Sequence, residues 1–224
     1  MMRTIPVIQG VLSANDELAQ ENRERLDRAG VLTVNLMSAP GAGKTSLILR
    51  TAEVLQGQLR LGVVEGDVAS QVDAERVAAA GLPVVQINTG GGCHLDANML
   101  RAALASLPLG EIDLLIIENV GNLICPAAFR LGEHLRVVLT SLAEGDDKPQ
   151  KYPDLFLQAD AIVVNKLDLQ EFLDFDRQRF RELVRGMNPD AVLFELSCRN
   201  GDGVEAWASW LRARREEMRK RRSE

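Results

Sequence analysis

The run Ser38-Ala39-Pro40-Gly41-Ala42-Gly43-Lys44-Thr45, followed by Ser46, joins small residues to a lysine and a hydroxyl. Such a run can close around a phosphate. Small side chains let backbone N–H groups turn inward, and a following helix presents its positive end to the anion. Lys44 can reach β- and γ-oxygens while the Thr45 hydroxyl binds Mg²⁺, which makes Gly41, Ala42, Gly43, Lys44, Thr45 and Ser46 the candidate phosphate contacts. Ser38 stands where the strict pattern has its first glycine.

Three acids could complete that chemistry. Glu118-Asn119-Val120-Gly121 reads as an acid-x-x-Gly element, in which Glu118 approaches Mg²⁺ and the Gly121 backbone senses a γ-phosphate. Its acid is one methylene longer than the usual Asp, and a contact to the metal through water is the expected arrangement. Asp67 follows an apolar segment and Asp73 lies behind it, both within reach of a switch segment. Taken singly, each is equally at home as a solvated loop carboxylate. With Lys44 they form the candidate catalytic set.

Asn165-Lys166-Leu167-Asp168 closes another apolar segment. Guanine presents N1–H and an N2 amino group, two donors that a single carboxylate accepts together, and Asp168 is the carboxylate placed to do so. Asn165 can tie this loop to the phosphate region, the Lys166 stem can lie over the ring, and Ser197 and Cys198 can offer backbone N–H to guanine O6. Together with the phosphate run, this tetrapeptide points to GTP and GDP.

Gly90-Gly91-Gly92-Cys93-His94 and Cys125-Pro126 add a different chemistry. Two thiolates and an imidazole suit Ni²⁺ or Zn²⁺ rather than Mg²⁺ or Ca²⁺. On spacing alone, Cys93, His94 and Cys125 fit equally well as two buried small residues beside an unrelated histidine. Three ligands are one short of a closed tetrahedron, so water or a second subunit would complete the site. His134 falls in an expected helix and reads as structural.

These residues need a rigid frame. Apolar segments recur at Val31 to Met37, Leu61 to Val64, Val84 to Ile87, Leu114 to Ile117, Val137 to Leu139, Ala161 to Val164 and Val192 to Leu196. Helical spacing lies between several of them, at Ser46 to Leu55, Asp73 to Ala80, Ala97 to Leu107 and Phe172 to Met187. Short, continuously apolar strands alternating with helices predict an α/β P-loop NTPase, its mainly parallel sheet covered by helices on both faces. Residues 1–30 are expected to form an N-terminal helical appendage capped at Ser13, residues 31–214 the GTPase domain, and residues 215–224 a basic helix end.

Composition narrows the function classes. The 224 residues carry 26 bases and 32 acids, a formal charge of −6, which argues against a nucleic-acid or anionic-membrane binder. No apolar run approaches the roughly 18 residues of a membrane span, and three cysteines without a secretion signal suit a cytoplasmic protein.

In order along the chain, the phosphate run, Glu65-Gly66-Asp67, Gly92-Cys93-His94-Leu95, Glu118-Asn119-Val120-Gly121-Asn122-Leu123 with Cys125-Pro126, and Asn165-Lys166-Leu167-Asp168 together resemble the HypB family. The likeness covers about Val31 to Trp210. It implies a GTPase of the signal-recognition-particle-like class that dimerises with GTP. It further implies nickel delivery to the large-subunit precursor of [NiFe]-hydrogenase, together with a HypA-like metallochaperone. By the same resemblance Cys93, His94 and Cys125 map onto a nickel or zinc site at the subunit interface. Residues 1–30 hold neither the cysteine motif nor the histidine-rich tract of some members, so nickel storage is not expected here.

Two relatives by chemistry fit less well. The urease-accessory nickel GTPases carry a Cys-Pro-His tripeptide where this chain has Cys125-Pro126-Ala127, and a small-molecule kinase would lack use for Asp168. A metal-storage or scaffold protein with a regulatory nucleotide site is the alternative from another class.

Overall fold

The computed structural model describes residues 7–222. The outer ends of the expected appendage and of the expected basic helix end lie outside the described residues. Strands β1 (Leu32–Ser38), β2 (Leu61–Asp67), β3 (Val84–Asn88), β4 (Leu114–Glu118), β5 (Leu135–Ser141), β6 (Ala161–Asn165) and β7 (Val192–Glu195) form one sheet. Their order is β3-β2-β4-β1-β5-β6-β7, and every neighbouring pair is parallel. The α/β fold expected from the apolar segments is therefore present.

Parallel strands need long crossovers, which helices supply. Between the strands lie α2 (Lys44–Leu55), α3 (Val72–Ala79), α4 (Ala97–Ser106), α5 (Cys125–Ala128), α6 (Lys148–Lys151), α7 (Pro153–Leu157) and α8 (Arg177–Met187), while α1 (Val7–Ala29) precedes the sheet and α9 (Val204–Arg221) follows it. None among the described residues is long and apolar enough to cross a membrane.

The pleat sorts the core into two sides. Val34 and Leu36 of β1, Leu114 and Ile116 of β4, and Val137 and Leu139 of β5 pack on α2 and α9 through Leu47, Ile48, Trp207 and Leu211. Their alternates face the opposite way: Leu115 and Ile117 meet Leu26 of α1 and Leu100 of α4, while Val138, Ile162 and Val164 meet Phe156 and Phe180 of α7 and α8. Each buried Leu or Ile contributes about 1.5–3 kcal/mol, against about 1 kcal/mol for a helix cap, so sheet burial outweighs the helix ends. Trp207, fully buried, also donates its indole N–H to Thr51 Oγ1 at 2.9 Å and pins α9 to α2.

Three local expectations need correcting. Ser13 is not an N-cap, because α1 already begins by Val7. The helix expected over Phe172 to Met187 is two pieces, a 3-10 stretch Leu167–Phe172 and then α8. Asp176 accepts the Arg179 N–H at 2.9 Å and starts α8 there, while Phe175 is drawn into the core. His134 is not helical: it sits just before β5, where Nδ1 accepts the Thr33 N–H at 3.0 Å and Nε2 lies 2.9 Å from Asp27 Oδ1. The structural role expected of it holds, and it joins α1 to β1.

Candidate functional site

The phosphate run leaves the end of β1 and enters α2. Gly43 has φ +106, and a Cβ there would lie 2.5 Å from Asn165 Nδ2, so both backbone shape and the packed amide demand glycine. Lys44 Nζ donates to Ser38 Oγ at 3.2 Å and lies 3.9 Å from Glu118 Oε1, and the Thr45 hydroxyl donates to the same carboxylate at 3.1 Å. Gly41, Gly43, Lys44, Thr45, Ser46, Asp67, Asp73, Glu118 and Gly121 all line one cavity of about 380 Å³. Ala42 is buried behind it.

The acids do not stand as a simple row. Register in the sheet pairs Glu65 of β2 with Glu118 of β4, and carboxylate oxygens of Glu65, Asp73 and Glu118 all lie within 4.8 Å of one another. Asp67 lines the cavity outside that cluster, its Oδ1 accepting the N–H groups of Ala69 and Ser70 at 2.9 and 2.6 Å. Burial, followed by the neighbouring Glu118 charge, pushes the Glu65 carboxyl up to about 10. Burial raises Glu118 as well, against the pull of Lys44. Glu65 Oε2 and Glu118 Oε2 are buried without a hydrogen-bond partner. Hard oxygen donors with unused lone pairs beside a threonine hydroxyl fit Mg²⁺.

At the end of β6, Asn165 spans two loops: Nδ2 donates to Ala42 O at 3.0 Å, and Oδ1 accepts N–H from Lys166 and Cys198 at 2.7 and 3.1 Å. Lys166 adopts a left-handed backbone, φ +65, and its Nζ reaches Gly41 O at 2.7 Å. Asp168 Oδ1 accepts the Ser197 hydroxyl at 2.5 Å. The base-site and phosphate-site candidates thus meet along one rim of the sheet, at the strands' carboxyl ends. Burial pushes the Cys198 thiol up to about 11, leaving it a weak nucleophile and ligand.

The other thiols are less buried and lie together, and the contact with Cys125 raises the Cys93 thiol until a cation takes the place of its proton. Cys93 Sγ lies 2.8 Å from Cys125 Sγ and 3.6 Å from His94 Nδ1, and ligand atoms of all three residues fit within 4.8 Å. Adjacency of Cys93 and His94 does not prevent convergence. The His94 ring packs on Phe129 with centroids 4.0 Å apart, and burial lowers the imidazole's affinity for protons. The cluster is a soft-to-borderline donor set of the kind that suits Ni²⁺ or Zn²⁺.

Several contributors have no role assigned by motif alone. Glu65 is one: it stands in the Glu65-Gly66-Asp67 run, and a carboxylate ending the apolar run Leu61 to Val64 is the available signal. Arg76 lines the phosphate cavity, its Nη1 3.0 Å from Asp73 Oδ1, where the sequence offers no obvious catalytic arginine. Phe129, Asn119, Asn122 and Arg136 act through contacts distant in sequence. Arg136, buried in β5, donates from Nη2 to Pro126 O and Ala127 O at 2.9 and 3.1 Å and so anchors α5, which begins with Cys125.

Comparison with known proteins places this geometry. The CobW/HypB/UreG nucleotide-binding domain matches residues 32–195. Hydrogenase maturation factor HypB of Azotobacter vinelandii is 48% identical over 213 residues, covering 95% of this chain and 70% of that one. The crystal structure of HypB from Helicobacter pylori in complex with nickel superposes with a TM-score of 0.88 at 38% identity, covering 91% of this chain and 96% of that one. Signal recognition particle receptor FtsY from Elizabethkingia anophelis, at 16% identity and a TM-score of 0.53, covers 80% of this chain and 66% of that one and shares the fold alone.

Proposed function

The chain belongs to the CobW/HypB/UreG nucleotide-binding family and, within it, to the HypB hydrogenase maturation factors, and from that premise we propose that it hydrolyses GTP to time the handling of nickel. The observation that carries this reading is the placement of the thiol–imidazole cluster. Cys125 follows Gly121 by four residues, and Cys93 and His94 lie in the loop after β3, the strand beside Glu65 and Asp67. The two chemistries share their loops.

In this reading residues 31–214 form the working GTPase unit. Lys44 and the backbone of residues 41–46 hold the triphosphate, and Asp168, Asn165, Lys166, Ser197 and Cys198 select and seat guanine. Thr45 and Glu118 would hold Mg²⁺, with Asp67 close by, and Mg²⁺ when bound supplies charge neutralisation at the β/γ oxygens. Asp73 or a backbone group orients the attacking water, and Lys44 stabilises charge on the leaving oxygen. Slow intrinsic turnover is expected, because Arg76, the arginine that lines the cavity, is held by Asp73.

Cys93, His94 and Cys125 would carry Ni²⁺ as cargo, with Zn²⁺ the competing ion. Three protein donors leave a position for water or for a second copy of the chain, which supports a GTP-dependent homodimer. The nickel-bound relative supports the metal reading. Membership among hydrogenase maturation factors supports the precursor of the hydrogenase large subunit and a HypA-like metallochaperone as partners, and the three free thiols support a cytoplasmic location. No nucleic-acid or membrane contact is part of the reading.

Equilibrium dialysis with Ni²⁺ and with Zn²⁺, on protein loaded with GDP or with a non-hydrolysable GTP analogue, tests it. Metal affinity should differ between the two states and be lost in Cys93→Ala, and Lys44→Ala should abolish hydrolysis. Rapid GTP hydrolysis with identical metal affinity in both states would remove the timing role. If hydrogenase maturation in cells survives Lys44→Ala but fails with Cys93→Ala, the protein stores or scaffolds metal instead.

A further inference from the structure

The pleat of β4 sends neighbouring residues to opposite faces of the sheet. Glu118 faces α2, where it meets Lys44 and Thr45. Asn119, the next residue and fully buried, turns to the other face, where the segment carrying Cys93 and His94 enters α4. Its Oδ1 accepts the Leu95 N–H at 3.1 Å and the Val120 N–H at 2.9 Å, while its Nδ2 donates to Asn35 Oδ1 at 3.1 Å.

Three residues later the contact repeats. Asn122 Nδ2 donates to Cys93 O at 3.2 Å, and its Oδ1 accepts the Ile124 N–H at 2.8 Å, next to Cys125. The Cys93-His94 dipeptide is therefore held on both sides, at Cys93 C=O and at Leu95 N–H, by amides from the segment that follows Glu118. Leu95 makes the hold stiff. It is fully buried, and its side chain occupies the space where a Cβ on Gly66 would lie 2.7 Å from Leu95 Cδ1. Gly66 separates Glu65 from Asp67.

We propose that Asn119 and Asn122 are positioning residues that clasp the Cys93-His94 dipeptide to the Glu118–Gly121 segment, so that nucleotide-driven movement of that segment changes the spacing of the two thiols. This rests on the proposed nucleotide-timed metal site and names the contacts through which it is regulated. The Leu95 N–H is buried and has no water to replace Asn119, while the exposed Cys93 C=O is held at the rim by Asn122: when residues 118–121 close on a γ-phosphate, Leu95 N–H and Cys93 C=O move with the amides or lose them. Cys125 lies beyond both clasps on the same segment, so the clasps govern how Cys93 approaches it.

The test uses the full chain and Ni²⁺ alone. Ni²⁺ dissociation constants are measured with GDP and with a non-hydrolysable GTP analogue, and deuterium exchange of the amides of residues 93–96 is followed in both states without metal. In the wild type the ratio of the two constants departs from one. Asn122→Ala, at a partly exposed loop position, should bring that ratio to within about twofold of one, where coupling between sites typically spans about 5–150-fold. Asn122→Asp should do the same, because it keeps the acceptor for Ile124 and loses the donor to Cys93. Nucleotide affinity should stay at the wild-type value in both, and the state dependence of amide exchange at residues 93–96 should vanish with the ratio. Asn119→Ala removes a fully buried amide, so it is read only if its melting transition remains cooperative; the Asn122 variants decide without it. Retention of the wild-type ratio in both Asn122 variants overturns the proposal. A wild-type ratio of one would sink the timed metal site itself.

Discussion

Glu65 and Glu118 are register partners on adjacent parallel strands, both buried, with side chains on the same face of the sheet. Two carboxylates so placed cannot both ionise without a cation between them. Lys44 stands against Glu118, which makes Glu65 the partner that keeps its proton, with its carboxyl raised to about 10. Loss of that proton would turn the pair into a set of oxygen ligands for a cation.

The first prediction concerns stability against pH in protein free of nucleotide and divalent ions. A carboxyl raised on folding contributes stability that is fully present below its unfolded value, near 4.3, and is lost as pH rises through its folded value, here about 10. Melting temperature should therefore fall steadily from pH 6 to pH 9. Glu65→Gln, which keeps shape and cannot ionise, should flatten that fall and raise the midpoint at pH 9; an unchanged slope would show that Glu65 is not the proton carrier.

The second concerns the base. Asp168 accepts the Ser197 hydroxyl at 2.5 Å, which fixes one oxygen and aims the carboxylate. Asp168→Asn exchanges an acceptor for a donor and should favour xanthine over guanine, with GDP affinity falling at least about a hundredfold because a site built for particular donors rejects their absence strongly. Competition between GDP and XDP for a fluorescent nucleotide reads this directly. Ser197→Ala should weaken nucleotide binding without reversing the preference for guanine, since it unfixes the carboxylate and frees the Arg199 and Asn200 N–H groups that the hydroxyl accepts.

What the sequence discloses and what it hides follow one physical rule. Lys44, Thr45, Glu118 and Asp168 sit in contiguous runs whose chemistry depends on neighbours along the chain, and such runs are readable. Glu65 and Phe129 matter through strand register and ring packing against residues far away, which spacing does not encode. His134 shows the opposite case: the sequence reads as a helix where Thr33 N–H and Asp27, from two other elements, fix a loop. The break at Asp176 was present as an N-cap residue, but the apolar spacing of Phe172 and Phe175 masked it.

A third prediction addresses the buried pair under Cys125. Arg136 and Glu133 are both almost wholly inaccessible, 3.4 Å apart, and Arg136 also holds the carbonyls of Pro126 and Ala127. Arg136→Met leaves a buried carboxylate unpaired and should cost about 3–5 kcal/mol, whereas the double variant Arg136→Met with Glu133→Leu should recover much of that. Urea unfolding of the two variants separates the charge effect from loss of packing. Nickel affinity should remain weakened in the double variant, because neither leucine nor methionine restores the anchor on the carbonyls of α5.

The last prediction turns on Phe129. Its ring lies 4.0 Å from the His94 ring, and burial there keeps the imidazole's proton affinity below the ordinary histidine value. A metal binds the neutral ring, so a lowered value means less competition from protons near neutral pH. Phe129→Ala removes both the stacking surface and part of the burial, which frees the ring to rotate and lets its proton affinity return upward. Ni²⁺ affinity should fall about tenfold, as for a lost supporting contact around a ligand, and the loss should be larger at pH 6 than at pH 8. Phe129→Tyr, which retains the ring face, should restore both the affinity and its pH profile. Equal losses at the two pH values would leave Phe129 a packing residue with no hold on the titration of His94.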